Sequence, residues 1–182
     1  MRATLLWFAL PAALMTGVVC AEPASVGAMT DTIAVEAYRP AAEIRKLTAR
    51  GEYKEALALA DAELKRNSKN VNVRFLRGVI LSELKRTEEA KKVFEDMIRD
   101  YPEIAEPYNN LAVIYAAEGN IGRAKDLLET AAMNNPNSLV TFSNLGDTYL
   151  AQARDAYRKA AKIAPKNKRI AERLAEVEAI LK

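Results

Sequence analysis

The chain is expected to be all-α, a solenoid of stacked helix pairs, and three observations carry that expectation. First, residue types recur at a fixed interval of 34. Ala56, Ala90 and Ala124 share one register, and Gly78, Ala112 and Gly146 another. Leu111 and Leu145, Tyr115 and Tyr149, Tyr108 and Phe142, and Pro102 and Pro136 keep the same step. Second, apolar residues return every three or four positions from Ala41 to Lys182, with no useful stretch of period two. Third, breakers fall where helix pairs would turn: Gly51, Asn67 to Asn70, Lys85 to Thr87, Pro102, Gly119, Asn134 to Pro136, and Pro165 to Asn167. A period this long means that one supersecondary unit is copied and stacked.

Composition narrows the function classes. The 182 residues hold about four such units, and half are hydrophobic, enough for a packed core. A formal charge of +3 with interspersed signs argues against a nucleic-acid binder, which concentrates basic residues on one face. The absence of histidine removes Ser-His-Asp and Cys-His nucleophile systems and nearly all catalytic zinc sites. No Gly-rich phosphate loop, metal-ligand cluster or nucleophile motif is present. Carboxylate pairs such as Glu88 and Glu89 sit among lysines and read as surface salt bridges. No catalysis, metal or cofactor is expected.

Residues 1–21 resemble an export signal. Arg2 starts them, Leu5 to Val19 is largely apolar, and Val19-Cys20-Ala21 suits cleavage after Ala21. The apolar run is short for a spanning helix, which needs about 20 residues, so a retained anchor is the alternative. Cys20 as a lipidated terminus fits poorly, because Val19 stands where lipoprotein signals carry a small residue. After cleavage the chain would contain no cysteine and need no disulfide. Residues 22–40 carry prolines and a glycine and read as a flexible tether, with at most a helical turn from Asp31 to Tyr38.

Residues 41–182 form the expected solenoid, with repeats at about 37–70, 71–104, 105–138 and 139–165 and a capping helix at 167–181. Phe142-x2-Leu145-Gly146-x2-Tyr149 and Tyr108-x2-Leu111-Ala112-x2-Tyr115 each resemble the first-helix signature of tetratricopeptide repeats. The second-helix pattern appears as Ala90 with Phe94, and more loosely as Ala124 with Leu128 and Ala56 with Ala60. Pro102, Pro136 and Pro165 close the units, since proline cannot continue the hydrogen-bond ladder. Small residues at Gly78, Ala112, Gly146, Ala90 and Ala124 let helix backbones approach. The chain as a whole resembles exported bacterial tetratricopeptide-repeat proteins over roughly 37–182. The first repeat departs from the pattern at Glu43, Ile44 and Leu47.

The fourth repeat is short. Tyr115 precedes Ala124 by nine residues, but Tyr149 precedes its counterpart Ala153 by only four. The five missing residues are those of the turn between helices. Leu145, Tyr149, Ala153, Ala156, Ala160 and Ile163 make one unbroken stripe. The expectation is a continuous helix from Leu139 to Ala164. Its second half then needs another cover for Ala156, Tyr157, Ala160 and Ile163. Either the terminal helix supplies it, through Ile170, Leu174, Val177 and Leu181, or a second chain does, as a homodimer.

The resemblance also implies a binding surface, the concave groove lined by the first helix of each pair. In the second repeat the matching positions are Asn72, Phe75, Leu76, Val79, Ser82 and Glu83. In the third they are Glu106, Asn109, Asn110, Val113, Ala116 and Ala117, and in the fourth Val140, Ser143, Asn144, Asp147, Leu150 and Ala151. Asn109, Asn110 and Asn144 could hydrogen-bond a peptide backbone or contact a neighbouring helix. Some relatives clamp a partner's C-terminal carboxylate with Lys and Arg, but Phe75, Val79 and Asp147 stand in those places. An apolar extended or helical segment fits better.

A second candidate surface is basic: Arg154, Arg158, Lys159, Lys162, Lys166, Lys168, Arg169 and Arg173 against Asp155 and Glu172. It reads as a solvated helix face or as a contact for anionic lipid or an acidic partner. Taken together, the sequence leads us to expect a periplasmic scaffold that binds one or more envelope proteins. The competing reading is a membrane-associated subunit or structural oligomer.

Overall fold

The computed structural model describes residues 40–181, all organised by helices: α1 (Pro40–Ala49), α2 (Tyr53–Arg66), α3 (Val71–Glu83), α4 (Thr87–Asp100), α5 (Ala105–Ala117), α6 (Ile121–Asn134), α7 (Leu139–Ile163) and α8 (Lys168–Ile180). The export signal, the tether and the turn expected at Asp31 to Tyr38 lie outside these residues. No described helix is long and apolar enough to cross a membrane.

The turns repeat as faithfully as the helices. Within the first three pairs the chain closes through one residue of positive φ, at Gly51, Lys85 and Gly119. The residue after each donates back five positions: Glu52 to the Leu47 carbonyl, Arg86 to Leu81 and Asn120 to Tyr115, at 3.0, 2.9 and 2.8 Å. This left-handed closure satisfies carbonyls that the helix end would otherwise orphan, and glycine adopts it without strain. Before α3 and α7 a side chain caps the helix, Asn70 accepting from Val73 N–H and Ser138 from Thr141 N–H, both at 3.2 Å, whereas Ile104 before α5 provides no such cap.

Adjacent helices pack in chain order, and α1 also approaches α3, as α5 approaches α7. These approaches place the odd-numbered helices in one layer of the stack and the even-numbered helices in the other. The core follows the 34-residue registers. Ala56, Ala90, Ala124, Ala112, Phe94 and Leu128 are fully buried. Ile44, which departs from the family pattern, is fully buried too and anchors α1 in the same core.

The fused helix of the fourth repeat is present. α7 runs unbroken for 25 residues, about 37 Å, one residue short of the expected Ala164. Its cover is only partly as expected. Ile170, Leu174, Val177 and Leu181 near the C-terminus are half-buried, as are Tyr157 and Ala160 of α7. Ala156 and Ile163 stay exposed, because a single helix laid along one side of α7 cannot also wrap the next face.

Candidate functional site

The inner wall is built by α3, α5 and α7, and the residues expected to line it divide by depth. Asn72, Glu83, Glu106, Ala117 and Ser143 are exposed. Phe75, Val79, Ser82, Asn109, Asn110, Val113, Val140, Asp147 and Leu150 are half-buried. Leu76, Ala116, Asn144 and Ala151 are buried and closed to a ligand. They point between helices instead of into the groove, which corrects the expectation for those four.

The asparagines explain themselves through contacts in the wall. The Asn144 side-chain amide donates to Oδ1 of Asn109 at 3.0 Å, joining α7 to α5. Asn110 donates back to the Glu106 carbonyl at 2.9 Å. For Asn144 the neighbouring-helix role is therefore the observed one, because a buried amide needs a partner. Phe75 packs on Phe94 with ring centroids 6.1 Å apart. What remains for a ligand is an apolar floor, Phe75, Val79 and Val113, edged by Asn72, Glu106 and Ser143.

Charges join the layers from outside. Tyr115 donates to Glu95 at 3.3 Å, and Tyr149 repeats this one unit later with Glu129 at 3.1 Å. The bond to Glu129 raises the Tyr149 hydroxyl above its ordinary range. Lys91 sits 3.1 Å from Glu118 and 5.2 Å above the Tyr115 ring, and its ammonium is raised chiefly by the Glu118 bond. An open depression of about 500 Å³ lies against α2, α3 and α4, with Asp61, Arg74, Arg77 and Val93 in its lining. Its arginines are already engaged, Arg77 with Asp61 at 2.6 Å and Arg74 with Asp100 at 2.8 Å. Lys65, also in the lining, is exposed and forms no ion pair among the described residues. No cluster able to hold a metal ion occurs among the described residues.

The basic stretch is divided as well. Arg154 pairs with Asp155 at 3.0 Å, Arg158 with Glu178 of α8 at 2.7 Å, and Arg173 with Glu176 at 2.8 Å. Lys159, Lys162, Lys166, Lys168 and Arg169 are exposed and form no ion pair among the described residues. The spacing of cations along the sequence could not reveal this split, because Glu178 is 20 positions from Arg158.

The family model for the N-terminal TPR repeats region of Psidin matches residues 43–166. No curated protein matches the chain. Among solved structures, the first TPR domain of the human RPAP3 protein is similar at 18% identity and a TM-score of 0.59, over 63% of this chain and 90% of that one. The first TPR of Spaghetti (RPAP3), bound to the HSP90 peptide SRMEEVD, is similar at 18% identity and 0.58, over 63% and 90%. A thermophilic TPR protein of Thermus thermophilus is similar at 20% identity and 0.59, over 78% and 81%.

Proposed function

The chain belongs to the tetratricopeptide-repeat family of the Psidin N-terminal region, and from that premise we propose that it is a non-catalytic scaffold that holds a segment of a protein partner in its inner groove. The observation that carries this is the apolar floor of Phe75, Val79 and Val113, half-buried and edged by the exposed polar side chains of Asn72, Glu106 and Ser143. A similar structure holds a peptide, SRMEEVD. This groove lacks cations at Phe75, Val79 and Asp147, so its ligand is an apolar segment instead of an acidic chain end. The signal-like residues 1–21 support export, a periplasmic location and envelope proteins as the partners.

Photocrosslinking in cells tests this, with a reactive residue at Val113 and a control at Lys92, exposed on the outer helix α4. A discrete adduct at Val113 alone supports the groove, and no adduct at either site overturns it. A mature N-terminus at Glu22, read by mass spectrometry, supports export, and an intact Met1 counts against a cleaved signal. The exposed cations Lys159, Lys162, Lys166, Lys168 and Arg169 favour a second reading, peripheral attachment to anionic lipid. Co-sedimentation with phosphatidylglycerol vesicles but not phosphatidylcholine vesicles is its expected signature.

A further inference from the structure

The second half of α7 ends as a second helix of a pair ends. Its closing bond, Ala164 N–H to the Ala160 carbonyl at 2.9 Å, repeats Tyr101 to Met97 at 2.8 Å and Asn135 to Ala131 at 2.9 Å. Asn167 then donates to the Ala164 carbonyl as Ser138 does to Asn135, and caps α8 as Ser138 caps α7. Residues 153–163 are therefore the second helix of repeat four, and α8 is the first helix of a further unit. The missing turn has carried that second helix away from its own first helix, residues 139–152.

What the first helix lacks shows at equivalent positions. A side chain started at Gly78 would meet Cε1 of Phe94 at 2.6 Å, so glycine there is explained by the ring on top of it. At Gly146 nothing lies within 4 Å. The counterpart of Phe94, four residues after the register alanine, is Tyr157. At the far end of each pair, Arg74 meets Asp100 at 2.8 Å, and Tyr108 and Asn134 both donate to the Pro102 carbonyl. The counterparts in repeat four are Phe142 and Ile163, 48% and 85% exposed. One matched apolar pair is split between two ends of a single rod.

We propose that the chain pairs with a second copy through α7, each copy supplying the second helix that the other's fourth repeat lacks. Geometry permits this. At about 100° per residue, the eleven positions from Gly146 to Tyr157 make three turns plus about 20°, so donor and acceptor positions share one face. Pairing Gly146 with Tyr157, and Phe142 with Ile163, both centre an antiparallel two-fold arrangement near Gln152, where the turn is missing. Asp147, the one charged residue in the first half, comes within one position of Arg158 of the second copy, a cation that each chain already pairs with its own Glu178 at 2.7 Å. The occupant is a second copy because this chain's own segment carries the side chain that each vacancy matches. Asp147 belongs both to the groove wall and to the edge of this face, so the pairing and the binding reading meet at that residue.

Sedimentation equilibrium of the purified full chain should give a dimer at micromolar concentration. In a Cys20→Ser background, Gly146→Cys with Tyr157→Cys should form a covalent dimer under mild oxidation, while either change alone should not. Within one helix the two positions are about 16 Å apart, beyond disulfide reach. A disulfide-closed monomer would mean that α7 folds back on itself and would overturn the proposal, as would a monomer at every concentration. Gly146→Phe fills space that is open in the single chain, so it should leave the helical content unchanged while weakening dimerisation by at least about 100-fold. A dimer indifferent to that change would also overturn it.

Discussion

The third and fourth repeats begin with the same first-helix signature and bury it differently. Tyr108 in the third is 8% exposed, whereas Phe142, its counterpart in the fourth, is 48% exposed. Ala112 is sealed beneath the α6 side of its pair, whereas Gly146 faces open space. The helices are not what differs. Five residues of turn decide whether the second helix returns onto the first or continues away from it. Burial in this stack is thus a property of the hairpin, and an amphipathic helix alone does not confer it.

The largest expected effect tests that statement in the closed part of the stack. Phe94 is fully buried over Gly78. Phe94→Ala should cost about 3–5 kcal/mol in urea unfolding, the range for an aromatic lost from a core. Tyr157→Ala, at the equivalent position, should cost about 1 kcal/mol when measured at dilutions that separate any pair of copies, since the ring is covered only in part. Equal losses would mean that the single chain already buries both rings, and the contrast between the repeats would disappear.

Restoring the turn should convert one region into the other. Inserting Gly-Asn-Ile-Gly-Arg, the sequence of positions 119–123, between Gln152 and Ala153 returns repeat four to full length. The second helix can then fold back and bring Phe142 and Ile163 together. Burying two large apolar side chains is worth about 1.5–3 kcal/mol each, from which ordering the inserted residues subtracts. A net gain of about 2 kcal/mol in thermal unfolding is expected, with a strictly monomeric chain by sedimentation. An insertion variant that stays a dimer would break the link between the missing turn and the exposed face.

Glycine substitutions sharpen the comparison by sign. Gly78→Ala drives a methyl group into the Phe94 ring, which is buried and cannot swing away. A loss of about 1–3 kcal/mol is expected. Gly146→Ala meets nothing within 4 Å in the single chain. There it should gain up to about 1 kcal/mol from helix propensity. Thermal melts of both variants under dilute conditions read the two signs directly.

Much of this was legible in the sequence, because a repeat reports each packing position several times. The registers of Ala56, Ala90 and Ala124 located the core, and the short spacing from Tyr149 to Ala153 located the fused helix. The groove was less legible. Leu76, Ala116, Asn144 and Ala151 occupy family ligand positions, yet each is buried by packing between helices, which spacing along one helix does not encode. The pairing of Asn144 with Asn109 spans 35 positions and depends on two helices lying side by side. The exposure of Ile163 was likewise unreadable, since the stripe it belongs to is apolar whether or not α8 reaches it.

The smallest effect concerns the outer edge of the hairpins, polar in repeat two and apolar in repeat four. The Arg74 hydrogen bond holds the Asp100 carboxyl below its ordinary range, with slight desolvation opposing and the charge of Arg99 adding to it. A depressed carboxyl stabilises the fold fully above its unfolded value, about 3.9, and that contribution fades as pH falls through the lower folded value. The Asp100 carboxyl carbon followed by NMR should therefore titrate below free aspartate, and Arg74→Gln should return it toward the ordinary range. Phe142 and Ile163 carry no titratable group, so acid that loosens the edge of repeat two has no counterpart charge to neutralise there. An Asp100 that titrates like free aspartate would show that the ion pair does not hold this edge. The α3–α4 hairpin would then rest on its apolar core, with Phe94 over Gly78 the contact that repeat four lacks within a single chain.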